Sequence, residues 1–214
     1  MTRYRSGSAG KAFGRGSSGW IAVWMIALLV VGCKNPFATR EPEPPKSKRL
    51  QWIPPYQPED VLSNLRSSLA ERNSLNYLRC LSDSLATGRA FRFDPEPAAA
   101  SAFPGLFDRW GREEERHFIE QLFQAVPSES TLHLEVSVVG EQVGEAGERF
   151  LITQYLLEAH HATGQASVPR RCQGRAEFWF VRDPTTSYWY IWRWADRATS
   201  DVPVWSFLKA AFGR

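Results

Sequence analysis

The sequence is poor in the residues from which most recognisable catalytic and metal motifs are built. It has three cysteines, four histidines and two methionines in 214 residues. No cysteine pair and no H-x-x-x-H occurs at zinc-ligand spacing, so the common zinc frameworks are excluded. No G-x-S-x-G elbow and no P-loop is present, which removes the hydrolase nucleophile turn and the backbone phosphate cradle. No cofactor and no metal are therefore expected. Long apolar runs are missing too. Trp20 to Val31 is twelve residues without a charge, short of the ~20 that a spanning helix requires.

An excess of one charge is also lacking once the chain is divided. Arg3, Arg5, Lys11 and Arg15 precede the apolar run, and no acidic residue occurs up to Gly19. A basic start, a short apolar stretch and a small residue after it form a secretory signal. The signal, residues 1–32, holds four of the 26 basic residues and none of the 23 acidic ones, leaving 22 against 23. A nucleic-acid binder needs a retained basic face, so no nucleic-acid partner is expected.

The signal ends in Val30-Val31-Gly32-Cys33, which resembles the lipobox of bacterial lipoproteins. The resemblance implies a diacylglycerol thioether on Cys33, removal of the preceding peptide and a membrane partner through the anchor. Two or more acyl chains hold a protein stably at a bilayer, whereas one does so only marginally. A buried thiol in an uncleaved anchor helix is the alternative. Lys34 and Asn35 lack the aspartate that retains lipoproteins at the inner membrane of enteric-type bacteria. The expected location is the cell envelope, facing the periplasm or exterior, with the outer membrane favoured where the host has one.

Residues 33–57 carry six prolines and alternating charge and read as an extended tether, with a reach of roughly 70 Å. Residues 58–214 are long enough for one domain. PEDVLSNLRSSLAERN places Val61, Leu65 and Leu69 on one helical face behind Pro58. SLNYLRCLSDSL continues with Leu75, Leu78, Leu81 and Leu85 as a second helix. Phe91 and Phe93 flank Arg92 in a short strand-like alternation, PEPAAASAFPG reads as loop, and Leu106 to Val126 as a further helix.

After Pro127 the period becomes two. Leu132, Leu134, Val136 and Val138 oppose His133, Glu135 and Ser137. Three more strand-like runs follow, RFLITQYLLEA, RCQGRAEFWFVR and SYWYIWRWAD, before a short helix in VPVWSFLKAAF. Helices followed by strands with short turns predict an α+β fold with an antiparallel sheet.

The helix pair PEDVLSNLRSSLAERNSLNYLRCLSDS at residues 58–84 and the hairpin GRAEFWFVRDPTTSYWYIWRWAD resemble the NTF2-like superfamily, which includes ketosteroid isomerase and SnoaL-type proteins. That resemblance, over roughly residues 58–212, implies a cone: N-terminal helices packed on a curved antiparallel sheet, with a pocket at the open end. Its enzymes project acid and base residues into the pocket, and other members bind ligands or pair sheet to sheet. The isomerase branch uses a base with a tyrosine and a protonated acid as donors. Tyr77, Asp94 and Asp196 are present here, but no spacing maps them onto those roles.

Alternation on the last strand places Tyr188, Tyr190, Trp192 and Trp194 on one face, opposite Trp189, Ile191 and Arg193. Trp189, Tyr190, Trp192, Trp194 and Asp196 are thus candidates for a pocket or an interface. Asp196 reads either as a pocket acid or as a carboxylate fixing the strand end through an arginine or a turn amide. His117 and His133 read as exposed, and adjacent His160 and His161 point to opposite faces, which argues against both binding one metal. Cys80 and Cys172 could pair in an oxidising compartment, closing a loop of about 90 residues worth up to ~4.6 kcal/mol; Cys80 reads equally as core. Two functions stay open: a non-catalytic module binding a small apolar ligand, an envelope protein or a second copy, and an isomerase- or dehydratase-type enzyme working in the cone.

Overall fold

The computed structural model describes residues 52–144 and 147–214. The signal, Cys33 and most of the Pro-rich tether lie outside the described residues. No helix among the described residues is long and apolar enough to cross a membrane.

Helix α1 (Pro58–Glu71) starts with proline in its first turn, and the Gln57 amide donates to Asp60 Oδ2 at 3.0 Å. Its Val61, Leu65 and Leu69 are fully buried. The helix stops at Arg72, which adopts a left-handed φ of 52°. From there the Arg72 guanidinium donates to the carbonyls of Val126, Pro127 and Ser130, fastening the helix end to a distant turn.

The second helix is shorter than its leucine spacing predicts. Helix α2 (Ser74–Arg79) ends, and a separate turn, α3 (Ser84–Thr87), is capped by the Asp83 side chain. Between them the backbone is drawn into the sheet: Ser82 N donates to Ile191 O, and Ile191 N to Cys80 O. Leu75 and Leu85 are consequently exposed. Strand β1 (Arg92–Asp94) follows, then α4 (Pro97–Ala102), where a loop was expected. Glu96 makes the difference, because its carboxylate accepts from Ala98 N and Ala99 N ahead of an alanine-rich turn. Helix α5 (Arg112–Ala125) begins after the Leu106–Trp110 turns, with Glu114 accepting from Gly111 N at 2.9 Å.

The long strands are β2 (Leu132–Val143), β3 (Arg149–Ala159), β4 (Arg171–Arg182) and β5 (Trp189–Arg197), and helix α6 (Trp205–Phe212) ends the chain. The sheet order is β1-β5-β4-β3-β2. The four long strands are antiparallel as expected, but β1 pairs parallel with β5, so the sheet is mixed. Helices pack on its inner face over Leu134, Leu151, Leu157, Phe178 and Phe180, all buried.

The packed chain begins before Pro58. Asn64, buried in α1, both accepts from Ile53 N and donates to Ile53 O, at 2.9 and 2.7 Å. Trp189 N donates to Pro55 O at 2.8 Å, Tyr56 meets Tyr188 edge-on, and the Arg79 guanidinium lies 3.9 Å over the Trp52 ring. The end of the tether is thus a docked strap. It completes the cover of one sheet edge, where Pro55, Cys80–Ser82 and β1 occupy successive backbone positions along β5.

Candidate functional site

The chemistry-bearing groups gather inside the cone, between the sheet and helices α2, α5 and α6. Glu115 faces inward from the first turn of α5 and is fully buried, as is Lys209 from α6. The Lys209 ammonium donates to Glu115 Oε1, Tyr77 OH donates to the same oxygen at 2.6 Å, and Trp110 Nε1 donates to Oε2 at 2.6 Å. A buried ion pair survives only when such extra donors offset the loss of water. Five aromatic rings surround the ammonium. Its Nζ lies 4.3 Å from the Trp194 ring centre, 4.4 Å from Phe93, 4.8 Å from Phe118 and 5.8 Å from Trp110 and Trp205. Burial lowers the Lys209 pKa, with the Glu115 carboxylate opposing. Burial, and then the neighbouring Glu115, push the Tyr77 phenol well above its ordinary value.

A second polar group lies at the start of α6. Asp196 is fully buried and accepts from Ser206 N at 2.7 Å, Ser206 Oγ at 2.6 Å and Tyr155 OH at 2.7 Å. Tyr155 OH in turn accepts from Trp205 N at 2.8 Å. Asp196 and Tyr155 therefore satisfy two free amides of the helix start and tie β5, β3 and α6 together. Burial raises the Asp196 carboxyl, against the hydrogen bonds from Ser206 and Tyr155. Gly174 on β4 permits the approach, since a Cβ there would meet Arg197 O and Tyr155 OH within 3 Å.

The last strand departs from simple alternation. Trp179 pairs with Arg193 and Phe180 with Ile191, so Trp192 is an extra residue bulged out of the ladder. The phase flips there. Trp189 and Ile191 point inward before the bulge, Trp194 and Asp196 point inward after it. The single face of Tyr188, Tyr190, Trp192 and Trp194 expected from period two does not form. Trp194 is core, whereas Tyr190 and Trp192 are half-buried, with Arg89 4.7 Å over the Trp192 ring.

The Cys80–Cys172 pairing is likewise not present; both are buried free thiols. Cys80 is bonded beside Ile191, whose register partner is Phe180, while Cys172 lies eight residues further along β4. At ~3.3 Å per residue that is roughly 25 Å along the strand, and a disulfide needs Cα atoms within about 7 Å. His133 and His117 are exposed. His161 is buried, its ring bonded to Pro169 O and Thr163 Oγ1. Among the described residues no group of three or more His, Cys, Asp or Glu is placed to hold a metal ion.

Described surface clefts touch the margin of the interior, one at Phe93 and Trp110 and one at Tyr155, and none of them is lined by its buried charged groups. Another, of about 320 Å³, lies between Glu96, Pro169, Ala198, Pro203, Val204 and Phe207, and none of the four described clefts is lined by Glu115, Lys209, Tyr77 or Asp196. The outer sheet face is different. Phe150 and Trp179 stack with centroids 4.6 Å apart, Arg193 lies 4.3 Å over Trp179 and bonds Asp94 at 2.6 Å, and half-buried Ile152 is two residues along β3 from Phe150.

Sequence reasoning missed Glu115 and Lys209. Glu115 is the third of three consecutive glutamates and carries no local signal. Lys209 does: it is the only lysine after Lys48 and sits in the apolar run WSFLKAAF.

No protein-family model and no curated protein matches the sequence. Solved structures do. A candidate scytalone dehydratase from Novosphingobium aromaticivorans is similar at 12% identity and a TM-score of 0.50, over 66% of this chain and 81% of that one. A candidate aromatic ring hydroxylase from the same species is similar at 14% identity and a TM-score of 0.48, over 67% and 87% of the two chains. An NTF-2 like protein of unknown function from Shewanella oneidensis is similar at 10% identity and a TM-score of 0.45, over 65% and 94%. The likeness concerns the fold alone: helices pack on a five-stranded mixed sheet in an NTF2-like α+β fold.

Proposed function

We propose that the chain is an exported lipoprotein, held at the cell envelope by lipid on Cys33, whose NTF2-like domain is a non-catalytic interaction module. The observation that carries this reading is the filled cone. Tyr77, Glu115, Asp196 and Lys209 are each fully buried and bonded to another protein group. None of the described clefts is lined by these groups, which weighs against proton-transfer catalysis and against a small apolar ligand in the interior. The outer face supports contact with a protein. It carries half-buried Phe150, Ile152 and Trp179, flanked by charges of both signs in the pairs Arg175–Glu177 and Arg193–Asp94. A face with an apolar centre and both signs at its margin can complement itself across a two-fold axis, so a second copy is the occupant proposed.

Native mass spectrometry of the lipid-free domain tests the module, with Trp179→Glu as the comparison. A dimer that becomes monomeric in the variant supports the reading. A monomer carrying a bound organic molecule contradicts it. For the anchor, Cys33→Ala is expected to accumulate unprocessed precursor without acyl labelling; unchanged labelling contradicts lipidation at this residue.

A further inference from the structure

The interior is built as a cation site, and its own chain occupies it. A positive charge over several ring faces, with a carboxylate at one side, is the arrangement by which aromatic cages hold organic ammonium ions. Here Phe93, Trp110, Phe118, Trp194 and Trp205 present ring faces to Lys209 Nζ at 4.3–5.8 Å. Glu115 supplies the anion, its orientation fixed by Tyr77 and Trp110. Asp196 adds a second carboxyl that favours the charged ammonium. The donors are arranged to suit. The Trp110 Nε1 is spent on Glu115, the buried Nε1 atoms of Trp194 and Trp205 have no hydrogen-bond partner among the described residues, and all three rings lie under the ammonium.

We propose that the cone interior is an alkylammonium-binding cage whose resident ligand is the Lys209 side chain, delivered by helix α6. The proposal goes beyond the interaction reading, since it concerns what the interior selects and requires no partner. It identifies the ligand class as a primary or methylated straight-chain amine in its protonated form. It also gives α6 a role: the helix is a tethered ligand that keeps the cage closed to free amines. Gly213 fits that role, because a Cβ there would overlap the Trp110 ring.

The test is replacement of the tethered ligand by a free one. Lys209→Ala deletes the three outer methylenes and the ammonium, a fragment that n-propylammonium reproduces. With the amine about tenfold above its dissociation constant, the variant's Tm should rise by roughly 3–5 °C. The isosteric neutral 1-propanol and matched sodium chloride should leave it unchanged. In Lys209→Met, where the cage is already filled, n-propylammonium should produce no shift. If Lys209→Ala does not fold alone, recovery on refolding with the amine and not with the alcohol is the supporting result. Equal effects of amine and alcohol, a shift of the same size in Lys209→Met, or no recovery with either additive would overturn the proposal.

Discussion

The two faces of the sheet treat aromatic and charged residues in opposite ways. On the inner face, rings surround the Lys209 ammonium, and Lys209, Glu115 and Asp196 are all fully buried and bonded to protein partners. On the outer face, Arg193 lies over Trp179 and Arg89 over Trp192 while both arginines keep access to water. The same residue types thus give a locked interior and an adaptable surface. Burial separates them: an enclosed charge must be paired and stays where it is, whereas an exposed stacked arginine contributes about 1 kcal/mol or less and can exchange partners.

The largest effect that would sharpen this contrast comes from breaking the inner pair. Lys209→Ala leaves Glu115 buried without its cation and should cost about 3–5 kcal/mol of stability, read from denaturant unfolding. A loss below about 1 kcal/mol would mean that the interior admits water. Next is the strap. Asn64→Ala removes both bonds to Ile53 and should cost about 1–3 kcal/mol, with Trp52–Gln57 becoming protease-sensitive while the sheet stays protected.

A smaller effect depends on pH. Burial raises the Asp196 carboxyl in the folded state, so the folded protein keeps this proton to a higher pH than the unfolded chain does. Its contribution to stability is complete below the unfolded aspartate value of about 3.9 and is lost as pH rises through the folded value. Relative to Asp196→Asn, wild type should therefore lose stability as pH rises from about 4. A constant difference between the two would show that the carboxyl is not desolvated. The smallest stability effect belongs to the outer face. Trp179→Glu should change unfolding by about 1 kcal/mol or less, measured on the monomer; a loss comparable with Lys209→Ala would erase the distinction between the faces.

Parts of this arrangement were legible in the sequence for physical reasons. The i, i+4 series of Val61, Leu65 and Leu69 belongs to a helix that buries one stripe, and its capping residues are local. The inner faces of β3 and β4, and of β2 as far as Val136, follow period two because helices cover one side of the sheet; beyond it Val138 is exposed and the β2 register shifts before Gly140. What stayed hidden was set by distant contacts. The break after Arg79 depends on Ile191 capturing Cys80 and Ser82, and the inward turn of Trp194 depends on one bulged residue at 192. Parallel pairing of β1 with β5 has no local signature. Of the interior pair, Lys209 was readable as a single charge in an apolar helix, while Glu115 was not, because Glu113 and Glu114 beside it look alike.

The central claim is that the interior is closed and Lys209 occupies it. Acylation of the folded domain with an amine-reactive ester, mapped by peptide mass spectrometry, tests it directly, because Lys209 is the only lysine after Lys48. The account predicts that Lys46 and Lys48 are modified while Lys209 stays free until denaturant unfolds the chain. Modification of Lys209 in the native protein at the rate of the tether lysines would contradict it.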